Sequence, residues 1–178
     1  MFAWLITICI LLNQSQSDVP PPDLTDNVLD FELPDLDGNV VSSSDVRFKD
    51  KVLLVDLWGT WCPPCRKAVP FLVKLQDRYK KDGLRIVGIA FEFAASEESR
   101  RERIQKFAEE MDINYLLLDG GGDPDAELRN ALPDIEANHA FPTMFIIGRD
   151  GTVQYSKSGF DPKDEARIEA ELKKILAN

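Results

Sequence analysis

The chain has 178 residues, the size of one ordinary domain with a short extension. Its net charge of −10 excludes the clustered Lys/Arg surface that nucleic-acid binding needs, and its 44% hydrophobic content excludes disorder by composition. With 10 Gly and 11 Pro it is neither collagen-like nor low-complexity.

The first element is an almost continuously apolar run, Phe2 to Leu12. It is about half of the ~20 residues that a membrane span takes. It suits the apolar region of a secretory signal peptide, although no Lys or Arg precedes it. Ser15-Gln16-Ser17 supplies a small-x-small site for cleavage before Asp18. Residues 1–17 are therefore expected to be a signal peptide and the mature protein extracytoplasmic, periplasmic or secreted, or tethered if the segment is retained. Residues 18–27 carry Pro20-Pro21-Pro22 and read as an extended linker. Residues 28–178 form the expected domain.

Within it, Val28–Leu33 predicts a short strand, and Asp37-Gly38 a turn into Val40-Val41. Lys51–Trp58 (KVLLVDLW) has the unbroken apolar character of a strand buried on both faces. A helix follows from about Pro63 to Lys81. Leu84–Phe91 is a second buried strand, and Ser96–Met111 a charged helix with Glu97 and Glu98 in its first turn. Tyr115–Leu118 predicts a short strand, Gly120–Pro124 a loop and Asp125–Leu132 a short helix. Met144–Ile147 and Thr152–Tyr155 flank Asp150-Gly151 as a hairpin, and Pro162–Leu176 closes the chain as a helix. Such alternation implies a central sheet with parallel neighbours and helices on both faces. No Gly-Lys-Ser/Thr follows the Gly120–Gly122 stretch, which excludes a phosphate loop there.

The cysteines carry the chemistry. They are Cys9, Cys62 and Cys65, so removal of residues 1–17 leaves one Cys-x-x-Cys pair and no disulfide framework. A structural zinc site takes four ligands, and two thiols with the single His139 fall short. Trp61-Cys62-Pro63-Pro64-Cys65 lies where a buried strand hands over to a helix. Cys62 is then near the helix N-terminus, where unpaired N–H groups and the dipole stabilise a thiolate, the nucleophile of disulfide exchange. Pro63 and Pro64 suit a first turn whose N–H groups lack helical partners. Cys65, one turn in and less exposed, is placed to attack a mixed disulfide at Cys62. Two buried thiols, or half of a metal site, are the bland alternatives. The strand–helix placement and the flanking Trp58 and Trp61 weigh against them.

Val55-Asp56-Leu57-Trp58-Gly59-Thr60-Trp61-Cys62-Pro63-Pro64-Cys65-Arg66, then Pro70, then Phe141-Pro142-Thr143 resemble the thioredoxin superfamily. Within it they are similar to the TlpA/ResA group of exported thiol–disulfide oxidoreductases, over about residues 28–176. The resemblance implies a thioredoxin-like α/β fold, a central mixed β-sheet with helices on both faces. It implies Cys62 as attacking and Cys65 as resolving thiol, a cis peptide before Pro142 facing them, and a helix kinked at Pro70. Substrates would be protein thiols or disulfides, met by Trp61, Pro63, Pro64, Phe141, Pro142 and Thr143. A membrane thiol donor would supply electrons, and no cofactor, metal or nucleic acid is expected. Asp56 matches the buried acid that takes the resolving thiol's proton, and its apolar neighbours predict a raised pKa. Glu92, between Phe91 and Phe93, is the second candidate acceptor. Ala68 departs from the Glu that similar proteins often carry three residues after the second cysteine. A peroxiredoxin-like peroxidase and a non-catalytic binding module are the competing readings.

Overall fold

The structure is a computed structural model that describes residues 29–122 and 140–178. The expected signal peptide and linker, Cys9, His139 and the expected helix Asp125–Leu132 lie outside the described residues.

The elements follow in chain order: β1 (Glu32–Pro34), β2 (Val40–Ser42), β3 (Val52–Trp58), α1 (Pro63–Tyr79), β4 (Leu84–Phe91), α2 (Glu97–Glu110), β5 (Leu116–Gly121), β6 (Thr143–Ile147), β7 (Val153–Ser158) and α3 (Glu165–Leu176). A five-stranded sheet runs in the order β5-β4-β3-β6-β7. β3 is parallel to β4, β4 to β5, while β6 is antiparallel to both β3 and β7, so the sheet is mixed. The fold is the expected thioredoxin-like α/β one with a central mixed sheet; the helices expected on both faces lie, among the described residues, on one.

Every residue of β3 is buried, as its unbroken apolar run predicts for a central strand. Alternate side chains go to opposite layers. Val52 and Leu54 join Leu72 and Leu75 of α1 and Ile168 and Leu172 of α3. Trp58 continues that face against Cys65 and Val69 of α1 and Phe107 of α2. Leu53, Val55 and Leu57 face the other way, onto Phe31, Leu33, Val41 and Phe48. Among the described residues, then, the three helices share one face. The β1–β2 hairpin and the segment leading into it cover the other.

Boundaries moved where tertiary contacts overrode local signals. β1 starts at Glu32, later than the predicted Val28–Leu33 strand. Gly120 and Gly121, predicted as loop, belong to β5. The Asp119 carboxylate explains the extension: it accepts from the Gly121 N–H at 3.0 Å, in the interior, and from Arg100 Nε of α2 at 2.9 Å. Gly120 is also needed for close packing, since a Cβ there would meet Ile89 Cγ2 at 2.8 Å and the Phe91 ring at 2.9 Å. These glycines serve a strand that passes close under its neighbour's side chains. The Ser96–Met111 helix is α2 with Ser96 as its N-cap, the hydroxyl accepting from the Ser99 N–H. The closing helix begins as a 3-10 turn, Pro162–Asp164, before α3.

Candidate active site

β3 delivers the chain straight into the N-terminus of α1. Cys62 is the N-cap, and a disulfide joins it to Cys65 with the Cα atoms 5.3 Å apart. Pro63 and Pro64 occupy the first two helical positions and have no N–H to offer. The first N–H of the helix is that of Cys65, and it donates to Cys62 Sγ at 3.3 Å. Cys62 retains 3% exposure and Cys65 none. The order of accessibility expected from the sequence therefore holds, but narrowly.

The loop between β3 and α1 is held from the neighbouring strand. Glu92, buried just past the end of β4, accepts from the Thr60 N–H with one carboxylate oxygen and from Thr60 Oγ1 with the other, at 2.9 Å. Both oxygens are thus engaged two residues ahead of Cys62. Arg66 adds a second tie: Nη1 donates to the Thr60 carbonyl at 3.3 Å, and its guanidinium lies 4.8 Å from the Phe107 ring centroid. Sequence reading singled out Glu92 without its partner and named Arg66 only as part of the motif, with no role. Both ties depend on which strand and helix lie alongside the loop.

Trp61 is 42% exposed, and its indole Nε1 donates to the Phe91 carbonyl at 2.8 Å. Gly59 makes that pose possible, because a Cβ there would lie 2.4 Å from Trp61 Nε1. Phe93, 56% exposed, packs on Trp61 with ring centroids 5.2 Å apart, and Phe141 meets it edge-on at 5.6 Å. The result is an open aromatic wall beside the disulfide, with Pro63 exposed at the helix start. Phe93 entered the sequence reading only as a neighbour of Glu92.

Pro142 precedes β6, whose Thr143 is the register partner of Leu57 near the end of β3. The Phe141–Pro142 peptide is cis. Register therefore brings the Phe141–Pro142 turn to the same end of the sheet as Cys62. Thr143 is buried, and its hydroxyl bonds the Ala140 carbonyl at 2.7 Å and Ser158 Oγ at 2.9 Å. It braces the turn from inside.

Asp56 lies between Leu54 and Trp58 on the helix-facing side of β3, and so looks toward α1 and the base of the cysteine pair. It is fully buried, and neither carboxyl oxygen has a hydrogen-bond partner among the described residues. Burial alone pushes its carboxyl up to about 8. Ala68, at the position where similar proteins often carry Glu, is packed in the core. Asp56 is thus the buried acid on this face of β3.

Among the described residues, no helix is long and apolar enough to cross a membrane. No cluster of three or more His, Cys, Asp or Glu among them is arranged to hold a metal ion.

This assembly, a dithiol pair on a helix N-terminus above a buried acid in a thioredoxin-like sheet, defines a redox protein class. Residues 23–172 match the Redoxin family, and the chain belongs to it. It is 30% identical over 146 residues to the thiol-disulfide oxidoreductase ResA of Bacillus thuringiensis subsp. konkukian, covering 82% of this chain and 74% of that one. It is 31% identical over 147 residues to the thioredoxin-like protein YneN of Bacillus subtilis, covering 80% and 76%. A Chlorobium tepidum structure named as a thiol:disulfide interchange protein, DsbE, superposes with a TM-score of 0.68 at 28% identity, over 84% of this chain and 94% of that one.

The raised Asp56 carboxyl makes stability depend on pH. Unfolded, the group titrates near 3.8, and folded near 8. Between those values the native state holds one more proton than the unfolded state, so stability falls as pH rises, by about 1.4 kcal/mol per pH unit. Below the window the cost disappears, and above it the loss levels off. Asp56→Asn is expected to remove this slope and to be the more stable protein at pH 8, by several kcal/mol. Urea unfolding of both proteins from pH 4 to 9 measures it. Parallel stability curves would show that Asp56 does not titrate upward.

Proposed function

We propose that this protein is an exported disulfide reductase that passes electrons from its Cys62–Cys65 dithiol to disulfides of other proteins. As a thioredoxin-fold member of the Redoxin family with an intact Cys-x-x-Cys, the chain is a thiol–disulfide oxidoreductase. The observation that carries the reading is Cys62 at the N-cap of α1, its sulfur accepting from the Cys65 N–H.

Cys62 as thiolate attacks a substrate disulfide, releases one substrate sulfur and holds the other as a mixed disulfide. Cys65 then attacks Cys62, closing the enzyme disulfide and freeing the second substrate sulfur. Trp61, Pro63, Pro64, Phe141, Pro142 and Phe93 frame the place where an extended substrate segment would lie, and Thr143 supports the turn from within. Asp56 takes the Cys65 proton. Glu92, with both oxygens held by Thr60, serves to position the loop.

The direction is argued from the prolines. A strong oxidant has a stabilised reduced form. Here Pro63 and Pro64 withhold two of the first three helical N–H groups, leaving one donor on Cys62, so the thiolate is less favoured than at a fully armed N-terminus. The peroxidase alternative would need a hydroxyl free beside the attacking sulfur. The Thr60 hydroxyl instead donates to Glu92.

Export rests on the Phe2–Leu12 run and Ser15-Gln16-Ser17. With residues 1–17 as signal, 18–27 as linker and 28–178 as domain, the enzyme works outside the cytoplasm. Its electrons then come from a membrane-embedded dithiol donor.

Three experiments test this reading. Cys65→Ser is expected to accumulate mixed disulfides with substrate, whereas Cys62→Ser forms none. Trapping through Cys65 alone would reverse the two roles. Equilibration with thiol buffers is expected to place the couple nearer about −270 mV than about −120 mV, and a value at the oxidising end would make the protein an oxidase. Intact-mass measurement of protein from its native host is expected to find an N-terminus near Asp18 outside the cytoplasm. Met1 on cytosolic protein would refute export.

A further inference from the structure

Among the buried polar atoms with no hydrogen-bond partner among the described residues, four come from β3 and the residue just before β5: both Asp56 carboxyl oxygens, Trp58 Nε1 and the Tyr115 hydroxyl. Buried polar groups in folded proteins are almost always paired, because leaving one bare costs its full desolvation. These four are also neighbours. Asp56 and Trp58 are two apart on β3 and share a face. Gly88 of β4 is the register partner of Asp56. A Cβ on Gly88 would meet Trp58 Nε1 at 2.9 Å and Tyr115 Cε2 at 3.3 Å. Cε2 adjoins the carbon that carries the hydroxyl, so the phenol end of Tyr115 is the part that approaches. Gly88 has no side chain, and the indole N–H and the phenol occupy the strand next to the carboxyl in its place.

The chemistry of the set is complementary. Asp56 offers acceptors, Trp58 one donor, and Tyr115 a hydroxyl that gives or takes. An internal water needs two to four polar partners, and this set supplies that number. We propose that Trp58 and Tyr115 hold a buried water against Asp56, which makes Tyr115 a positioning residue for the proton step of disulfide exchange. The proposal rests on the redox reading given above.

In that step the Cys65 S–H gives its proton to the Asp56 carboxylate. The Cys65 sulfur attacks Cys62 Sγ, the Cys62–Cys65 bond forms, and the Cys62–substrate bond breaks. The substrate sulfur leaves as a thiolate and is protonated by solvent. Asp56, now neutral, keeps the proton until the enzyme disulfide is next reduced, when it gives it back to the departing Cys65 sulfur.

Few other groups act on Asp56. From α1 the facing titratable groups are the Cys62 and Cys65 sulfurs; Gly88 of β4, Met144 of β6, and Ile104 and Phe107 of α2 bring none. Burial holds the Tyr115 phenol well above its ordinary value, with the Asp56 charge adding to the effect, so Tyr115 stays protonated and able to donate.

A donor on a carboxylate favours its charged form, so removing the phenol oxygen raises the carboxyl and moves the base-dependent step to higher pH. Stopped-flow exchange with a disulfide peptide, from pH 5 to 10, separates formation of the mixed disulfide from its resolution. The proteins compared are wild type, Tyr115→Phe, Asp56→Asn and the double variant, each checked for native circular dichroism. In Tyr115→Phe, formation is expected to be unchanged. Resolution slows about tenfold at pH 7 because its midpoint moves up by about one pH unit. In the Asp56→Asn background Tyr115→Phe adds nothing. An unmoved midpoint, or a defect of equal size in the Asp56→Asn background, overturns the proposal. A second readout is the infrared carbonyl band of protonated Asp56, assigned by its loss in Asp56→Asn. It is expected to move to higher frequency in Tyr115→Phe, and an identical band in the two proteins also overturns the proposal. Failure of wild type to form any mixed disulfide at Cys62 is a distinct result in the same traces. It overturns the oxidoreductase reading and the proposal with it.

Discussion

The structure depends on the complete burial of β3. Seven consecutive buried residues require a neighbour on each side and a layer above and below. β4 and β6 supply the sides. The helices supply one layer and the β1–β2 hairpin the other. The strand can then carry a carboxyl into a place where it resists ionisation, and can end at a helix N-terminus that favours a thiolate. These opposite electrostatic environments lie six residues apart along one chain.

The reactive end is stiffened by ties that make no use of the sulfurs. Glu92 holds Thr60 by its backbone and its hydroxyl, Arg66 holds the Thr60 carbonyl, and Trp61 is bonded to the Phe91 carbonyl. Each tie reaches across from an adjacent element, so the loop inherits the rigidity of the sheet. A nucleophile held this way loses little conformational freedom when a substrate sulfur arrives. The aromatic wall of Trp61, Phe93 and Phe141 remains open next to it. An exposed apolar patch of that kind beside a reactive thiol is the feature that a protein substrate would read.

The edge of the sheet shows how far local signals carry. Gly120 and Gly121 have the composition of a loop, yet they extend β5. Asp119 turns inward to bind Arg100 and the Gly121 N–H, and Gly120 fits beneath Ile89 and Phe91. Gly88 is the same lesson in a central strand. Glycine there reads as a weak strand residue, but its missing side chain is the room that Trp58 and Tyr115 fill.

By itself the sequence determined the parts whose cause is local. The apolar run of β3 requires burial, Cys62 before two prolines requires a helix start, and Asp56 within that run requires a raised carboxyl. The strand–helix alternation requires a sheet with parallel members. Those conclusions follow from periodicity, capping and desolvation, which act within a few residues. Only the tertiary structure decided that Glu92 clamps Thr60, that Thr143 turns inward, that Phe93 joins Trp61, and that Tyr115 and Trp58 stand over Gly88 next to Asp56. Each of these pairs residues from different strands or helices, some about 30 apart in the chain. Their meeting is set by strand order and register, which no local pattern encodes.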